Sequence, residues 1–268
     1  MDLPYLQEPR PVAPDTHILP AQLPVPGLGT LGVNAFLLHA REPVLVDTGL
    51  AALREDFLAA LHRLIDPADL RWIWLTHTDW DHVGNLSAVL DEAPEARLVT
   101  TFLGMAKLGL AGLPTDRVYL VNPGQRLPVG DRDLYAVVPP IYDAPETTGF
   151  QDTETRVLFS SDCFGALLGE PAEVAGAIPK EALEEGMIAW AGVDAPWLGL
   201  AEENRYGKAL EAARGLAPST VLSSHLPPAE GMIGTLLGAL AKARSAPAFR
   251  GPDQVELERM MAGSAGAA

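Results

Sequence analysis

Four potential ligands of a metal ion are crowded into six consecutive positions. They are His77, Asp79, Asp81 and His82. The apolar residues 72–75 before them indicate a buried strand, and the pattern from Gly84 to Leu90 after them indicates the start of a helix. Side chains in a tight turn between a strand and a helix converge on a small volume, and a divalent cation binds imidazole and carboxylate groups. The segment therefore predicts a metal site. The alternative is a polar loop whose aspartates are ordinary caps.

The composition limits the number of domains and the kinds of partner. At 268 residues the chain is long enough for one large α/β domain with a sizeable core, and two small domains are the alternative. The net charge of −16 argues against nucleic acids and anionic membranes, whose phosphates it would repel. No stretch of about twenty apolar residues occurs, so no segment is predicted to span a membrane.

The N-terminus and the cysteine content predict the compartment. The first residues lack the basic and apolar regions of a secretory signal. The chain has one cysteine, Cys163, so no internal disulfide can form. Both observations predict a cytoplasmic protein.

Hydrophobic periodicity predicts the elements that must position the candidate ligands. Strands are predicted at residues 32–40, 43–47, 72–75, 118–121, 134–138, 157–161 and from 221 onward. Helices are predicted at residues 52–64, 181–191, 201–216 and 233–243. The proline-rich N-terminal segment, residues 1–30, is predicted to wrap the surface as extended segments and an edge strand. The C-terminal tail, about residues 250–268, is predicted to be frayed.

The ligand-rich segment and three later landmarks resemble the metallo-β-lactamase superfamily, whose signature here is His-x-His-x-Asp-His. A strand before the segment ends in Asp47-Thr48-Gly49, a strand after it ends at Asp162, and a late strand ends at His225, as in that superfamily. The resemblance covers about residues 32–225. It implies an α/β fold, the αβ/βα four-layer sandwich with two mixed sheets and helices outside, as a single domain over residues 1–268.

Two positions depart from the superfamily signature, and one of them points to a particular branch. Asp79 stands where the second histidine is expected, and the flavodiiron branch likewise has a carboxylate there, in His-x-Glu-x-Asp-His. Residues 159–165 also resemble that branch, which reads Phe-Ser-x-Asp-x-Phe-Gly. The oxygen-binding di-iron core of flavodiiron proteins is therefore the nearest resemblance. Asp143 departs even from this branch, which has histidine at that ligand position.

The resemblance implies a dinuclear metal site. One metal would bind His77, Asp79 and Asp143, the other would bind Asp81, His82 and His225, and Asp162 would bridge them. The four carboxylates would balance the formal charge of two divalent ions, whereas a histidine-rich site would stay positive and lower the pKa of bound water further. Carboxylate-rich ligation favours iron, with manganese also suited. Zinc stays open because it accepts aspartate ligands as well.

Three functions follow from this site. The favoured one is a di-iron protein that binds, reduces or senses dioxygen or a related small oxidant. It would need an external electron donor, because the chain leaves no room for a flavodoxin domain and no flavin is expected in it. The second is a metal-dependent, zinc-type hydrolase of an ester, thioester or lactone. The third is a degraded site with one metal or none.

Asp81 and Tyr142 are the candidate catalytic residues. Asp81 lies within the ligand segment, and Tyr142 could donate a hydrogen bond to bound dioxygen or to a small-molecule substrate, although simple packing is the alternative. The expected partners are that small molecule and an electron donor, without nucleic acid or membrane, and a homodimer is a further hypothesis.

Overall fold

The structure, a computed structural model, describes residues 3–26 and 28–265. Its strands are β1 (Tyr5–Leu6), β2 (Arg10–Ala13), β3 (Thr16–Val25), β4 (Gly29–Leu38), β5 (Val44–Val46), β6 (Trp72–Trp74), β7 (Arg97–Thr100), β8 (Val118–Leu120), β9 (Arg126–Pro128), β10 (Asp133–Val137), β11 (Gly149–Asp152), β12 (Val157–Phe159), β13 (Leu167–Leu168), β14 (Thr220–Ser223) and β15 (Leu226–Glu230). Its α-helices are α1 (Arg54–Leu64), α2 (Trp80–Val83), α3 (Leu86–Glu92), α4 (Phe102–Leu110), α5 (Lys180–Asp194), α6 (Glu203–Gly215), α7 (Ile233–Ala243) and α8 (Gln254–Ala265).

The strands form two mixed sheets. The first has the order β1-β3-β4-β5-β6-β7-β8, with β2 paired to β3 and β13 paired to β4. Within it β5, β6, β7 and β8 run parallel to one another. The second has the order β15-β14-β12-β11-β10-β9, and only its β12–β14 pair is parallel among the described strands.

Alternating apolar residues divide each sheet between two packed faces. In β4, Phe36 and Leu38 point into a core shared by the two sheets, whereas Ala35 and Leu37 point outward to the helices α1 and α3. In the second sheet Val157 and Phe159 of β12 face the shared core, while Leu158 between them faces α5 and α7. This period of two is what a sheet buried on both faces requires. The layers are therefore helices, sheet, sheet and helices, and the predicted four-layer αβ/βα sandwich is confirmed.

The carboxyl ends of four strands meet at one edge of the sandwich, and the candidate ligands follow them. Asp47 follows β5, the segment 75–82 follows β6, Asp162 follows β12, and His225 follows β14. Hydrogen bonds link the two sheets at this edge: the Asn34 side-chain amide of β4 donates to the carbonyls of Ser223 and Leu226 in the second sheet. Open α/β sheets commonly carry their sites at such an edge.

The N-terminal segment contains an edge strand, β1, as predicted, and also a strand, β3, that lies inside the sheet. β3 pairs with β4 along its whole length and with β1 and β2 on its other side, so it lies inside the sheet. The prolines of β3 have no paired residue on the side that faces β1 and β2. Pro20 lies between the residues paired with β2 and those paired with β1, and Pro24 lies beyond both. Proline is tolerated in a sheet where its missing N–H has no partner strand to serve.

The C-terminal tail holds helix α8 where a frayed segment was predicted. The reason is a reciprocal cap at its start: the Asp253 carboxylate accepts from the Glu256 N–H at 2.9 Å, and the Glu256 carboxylate accepts from the Asp253 N–H at 3.2 Å. This pattern stabilises a helix start. The last residues of the predicted tail, 266–268, lie outside the described residues. Among the helices that the structure describes, none has the length and apolarity to cross a membrane.

Candidate metal centre

The backbone at two strand ends is bent sharply, which aims side chains into one volume. Asp47 follows β5 with φ 57°, and Ser161 precedes Asp162 with φ 55°. Residues other than glycine rarely adopt this left-handed conformation, which costs about 1–3 kcal/mol each and tends to occur at functional sites. Both strained residues, Asp47 and Ser161, lie where the chain leaves a strand and enters the candidate centre.

Asp162 lies at the centre of the predicted ligands. Its Oδ1 is 3.1 Å from Nε2 of His82 and 3.3 Å from Nε2 of His225. Its Oδ2 is 3.6 Å from Nε2 of His77. Asp81 closes the same side as His82 and His225, with its Oδ2 3.4 Å and 3.5 Å from their Nε2 atoms. The two oxygens of one carboxylate thus face two different sets of histidines, which is the arrangement that a bridging ligand needs.

The third group of predicted ligands lies beside His77. One ligand atom each from His77, Asp79 and Asp143 lie within 4.8 Å of one another. His77 is fully buried, whereas Asp79 and Asp143 are exposed. The structure therefore brings all seven predicted metal ligands together, and the centre is open to solvent on the side of Asp79 and Asp143.

In each of the three histidines, Nδ1, the ring nitrogen that points away from Asp162, has a polar partner that holds the orientation of the ring. His82 Nδ1 is 2.9 Å from Oδ2 of Asp47, and His225 Nδ1 donates to the carbonyl of Gly32 at 2.6 Å. His77 Nδ1 lies 3.2 Å from the hydroxyl of Ser161. Because the carbonyl of Gly32 can only accept, and because the Asp47 carboxylate accepts, the proton of the His225 and His82 rings belongs on Nδ1. The lone pair on Nε2 is then free for a metal.

The atoms that face the centre lack other partners. Nε2 of each of the three histidines and Oδ1 of Asp162 are shielded from solvent, and in the described part of the chain the histidine nitrogens meet the Asp162 carboxylate at ion-pair distances without forming a hydrogen bond of good geometry. Buried polar atoms are nearly always paired, so a cluster of unpaired ones calls for a ligand. Imidazole and carboxylate donors of this kind fit divalent cations such as iron, manganese or zinc.

The charges of the centre influence one another strongly. Burial by itself would lower the pKa of a histidine, but the carboxylates of Asp162 and Asp81 raise the pKa of His225 to about 9 and that of His82 well above its ordinary value. Burial would raise the pKa of Asp162, but the three histidines hold it well below its usual range. Protons on imidazole therefore balance the carboxylates when no cation is bound, and a metal ion must displace them.

The pKa of Asp143 is raised, in contrast to that of Asp162. Burial is the largest cause, and repulsion from Asp162 and Asp79 adds to it, while His77 opposes it. Carboxylates that face one another without a cation disfavour the ionised form. Bound metal would relieve this repulsion.

Two groups near the centre were missed by sequence reasoning. Asp194, the last residue of α5, is 7% exposed and has a carboxylate oxygen within 4.8 Å of ligand atoms of Asp143 and Asp162. Glu146 is fully buried and accepts hydrogen bonds from Lys107 and from Thr78 of the ligand segment. Asp194 carries no sequence signal of its own, because it looks like one more acidic residue in an acidic chain. Glu146 could have been suspected from its position three residues after Asp143.

The predicted catalytic residues differ in how the structure places them. Asp81 faces the centre as described above. Tyr142 is half-buried, and its ring packs against Trp197 at 5.8 Å between centroids. The Trp197 indole also donates to the Tyr142 carbonyl at 3.2 Å. A catalytic role for either residue stays a prediction.

Sequence relatives are diflavin flavoproteins and nitric oxide reductases. Diflavin flavoprotein A 1 of Synechocystis sp. is 32% identical over 134 residues, which are 49% of this chain and 23% of that protein. A nitric oxide reductase of Moorella thermoacetica is 28% identical over 133 residues, which are 49% of this chain and 33% of that protein. The matched part of the chain therefore spans only about a quarter to a third of these relatives.

Solved structures with the same fold include flavodiiron proteins. The rubredoxin oxygen:oxidoreductase of Desulfovibrio gigas matches with a TM-score of 0.77 at 21% identity, over 89% of this chain and 61% of that one. The flavodiiron protein of Giardia intestinalis matches with a TM-score of 0.78 at 19% identity, over 90% of this chain and 60% of that one. At such identities the likeness shows the fold. The resemblance to the flavodiiron branch of the metallo-β-lactamase superfamily is confirmed.

A family model described as "ODP family beta lactamase" matches residues 31–187. The match begins in β4, includes the segment from His77 to His82 and runs past Asp162 into α5. It covers more than half of the 268 residues. The chain belongs to this ODP family of beta-lactamases.

Proposed function

We propose that this protein holds a dinuclear iron centre that binds or reduces a small oxidant, dioxygen or nitric oxide. The observation that carries the proposal is the carboxylate of Asp162, whose two oxygens face His77 on one side and His82 and His225 on the other. Two reduced iron ions held there would supply electrons that such an oxidant accepts.

The ligand types favour iron over zinc. The proposed set has four carboxylates and three imidazoles, and oxygen-rich, mixed ligation suits iron or manganese. The proposed division puts His77, Asp79 and Asp143 on one metal and Asp81, His82 and His225 on the other, with Asp162 between them. The names of the relatives support the same chemistry, since one is a nitric oxide reductase and one structural neighbour is a rubredoxin oxygen:oxidoreductase.

The protein residues would orient the centre and control access to it. Asp47, Gly32 and Ser161 hold the rings of the three histidines from behind, so each Nε2 keeps its direction. Access lies on the side of Asp79 and Asp143, which are exposed while the histidines are buried. An opening next to a buried centre suits a small molecule.

Electrons would come from an external donor in this proposal.

The net charge of −16 disfavours nucleic acids and other polyanions as partners. The buried free thiol of Cys163 fits a reducing, cytoplasmic compartment. A homodimer is part of the same proposal, and sedimentation of the purified protein tests it.

The decisive experiment combines metal analysis with single-turnover chemistry. Protein purified without added metal is analysed for iron, manganese and zinc, and close to two metals per chain with iron dominant is expected. The protein is then reduced without oxygen and mixed with a known amount of nitric oxide or dioxygen. Loss of the oxidant together with oxidation of the iron, in proportion to the iron bound, is the expected result.

Two comparisons sharpen the result. His225→Ala removes one proposed ligand and should lose metal and turnover, whereas His62→Ala replaces an exposed histidine and should lose neither. Two zinc ions per chain with hydrolysis of a thioester would establish the hydrolase instead. One metal or none would establish a degraded site.

A further inference from the structure

Asp194 is a buried carboxylate, and one of its two oxygens, Oδ2, has no hydrogen-bond partner among the described residues. It is the last residue of α5, and its side chain is 7% exposed. Its Oδ2 is also shielded from solvent. A buried ionised group in this state is strongly disfavoured unless a cation lies next to it.

The Asp194 carboxylate lies beside the candidate centre. One carboxylate oxygen from each of Asp143, Asp162 and Asp194 lie within 4.8 Å of one another. Asp143 also belongs to the group formed with His77 and Asp79. Asp194 therefore lies on the side of the metal that His77, Asp79 and Asp143 would hold, next to the bridging residue.

A purely structural role does not explain a carboxylate at this position. The C-terminal end of a helix carries a partial negative charge, which repels an acidic side chain there. The last turn of α5 contains no basic residue that could compensate. Burial and repulsion from Asp162 and Asp143 therefore raise the pKa of Asp194 to about 8, against the attraction of His225 and His82, and a bound cation would favour the ionised form.

The departure at Asp143 leaves room for such a ligand. An aspartate oxygen reaches less far from the backbone than the Nε2 atom of the histidine that the flavodiiron branch has at this position. A second carboxylate, coming from the end of α5, can fill the coordination position that the shorter side chain leaves. Asp143 and Asp194 would then together replace one histidine.

We propose that Asp194 is a ligand of the metal ion held by His77, Asp79 and Asp143, a ligand additional to the seven that the sequence predicts. This rests on the dinuclear centre of the proposed function. A fifth carboxylate makes the site net negative around two divalent ions, so it stabilises a trivalent state of iron or manganese and disfavours zinc.

The test measures metal binding directly. Metal-free wild type and Asp194→Asn are titrated with Mn²⁺, and the free ion is followed by its electron paramagnetic resonance signal. Asparagine keeps the size of the side chain and removes its charge. Wild type should bind two ions, and Asp194→Asn should bind one of them about tenfold or more weakly, a loss at least as large as that of a residue supporting a ligand. The other ion should keep its affinity.

Two further measurements separate a ligand from a structural residue. Glu185→Gln removes an exposed carboxylate from the same helix and should leave both affinities unchanged. Metal-free Asp194→Asn should melt at the same temperature as metal-free wild type, because burial and the carboxylates of Asp162 and Asp143 raise the pKa of Asp194 to about 8 and leave it mostly uncharged without metal. A residue needed only for packing would lower that melting temperature.

The outcomes are distinct from those of the proposed function. If wild type binds two ions and Asp194→Asn binds both with unchanged affinity, Asp194 is not a ligand, while the dinuclear centre stands. If wild type binds fewer than two ions, the centre and the role of Asp194 are both overturned.

Discussion

Asp47 and His82 are joined across the first sheet by a hydrogen bond of 2.9 Å between Asp47 Oδ2 and His82 Nδ1. The same carboxylate accepts from the backbone N–H and the hydroxyl of Thr76, at 2.8 and 2.7 Å. One buried side chain therefore fixes both the start of the ligand segment and the orientation of its last histidine. A strand-end aspartate could simply cap the turn or could orient a neighbouring ligand, and the contact with His82 supports orientation.

Asp47→Ala should weaken the metal held by Asp81, His82 and His225. His82 would lose the acceptor that keeps its proton on Nδ1, and loss of such support typically costs about 10–100-fold in metal affinity. The free energy of unfolding should fall by about 1–3 kcal/mol because the donors of Thr76 are left unpaired. Titration with Mn²⁺ and denaturant unfolding measure the two effects.

Asp66→Ala is the matched control for Asp47→Ala. Asp66 caps a short turn at the surface by accepting a hydrogen bond from the Ala68 N–H, and it is not one of the proposed metal ligands or a residue bonded to them. Its replacement should cost some stability without changing metal affinity. Equal metal affinities in Asp47→Ala and wild type would contradict the orienting role.

Asp143→Ala should empty one metal position selectively. The metal beside His77 and Asp79 loses a ligand, whereas the metal beside His225 keeps its set. Asp143→His should leave binding intact or tighter, because it restores the ligand that the related branch has. Elemental analysis and metal titration of both variants test this, with the exposed Glu170→Ala as a control for charge. Unchanged metal content in Asp143→Ala would mean that this side chain points away from the metal.

The parts of the site that could be predicted are those set by local sequence. The segment from His77 to His82 is compact, and Asp162 and His225 each end a recognisable apolar strand, so the topology alone brings them to one edge of the sandwich. Asp194 could not be found in this way. It ends a helix that also carries exposed Glu181 and Glu185, and only the packing of α5 against the second sheet buries it.

The errors in the fold have equally local causes. The prolines of residues 1–30 predicted an edge strand, which β1 provides, but they hid the interior position of β3. A proline breaks a ladder only where a neighbouring strand needs its N–H, and β1 and β2 leave gaps beside the prolines of β3. The Gly- and Ala-rich C-terminal residues predicted a frayed tail, but Asp253 and Glu256 before them form a reciprocal cap that starts α8.

Gly165→Ala should disturb the centre through its packing. A Cβ atom on Gly165 would lie 2.5 Å from Nε1 of Trp190 and 2.8 Å from Cβ of His225. That indole nitrogen donates to the carbonyl of Asp162 at 3.2 Å, so the strain falls on the bridging residue and on a histidine. The free energy of unfolding should fall by about 1–3 kcal/mol, and metal affinity should fall with it.

Gly169→Ala controls for the substitution itself. A Cβ atom there would have no heavy atom within 4 Å, so stability and metal affinity should stay close to those of wild type. Thermal melts and metal titrations compare the two variants. If Gly165→Ala behaves like Gly169→Ala, the packing of Trp190 against His225 does not constrain the centre.

The Glu146 carboxylate should make stability depend on pH in the acid range. Burial would raise its pKa, but hydrogen bonds from Lys107 and Thr78 outweigh burial and hold the pKa below its ordinary value of 4.5. A carboxyl whose folded-state pKa is lowered adds stability above the unfolded value, and this stability is lost as the pH falls through the folded value. Glu146→Gln should therefore lower the free energy of unfolding by about 1–3 kcal/mol at pH 7, and the deficit should shrink below about pH 4.5.

Lys107→Met should also be destabilised most at neutral pH, but its deficit should begin to shrink at a higher pH than that of Glu146→Gln. It leaves Glu146 buried with Thr78 as its remaining side-chain donor, so its pKa rises and the variant loses most stability at neutral pH, with recovery as the carboxyl takes up a proton. Denaturant unfolding of the metal-free proteins from pH 7 to about pH 3 measures both trends, since metal ligands that titrate then contribute equally to every variant. Lys208→Met, at an exposed site, controls for the loss of a positive charge. Stability differences that do not change over this range would show that Glu146 holds the ligand segment to the loop of Asp143 without its charge.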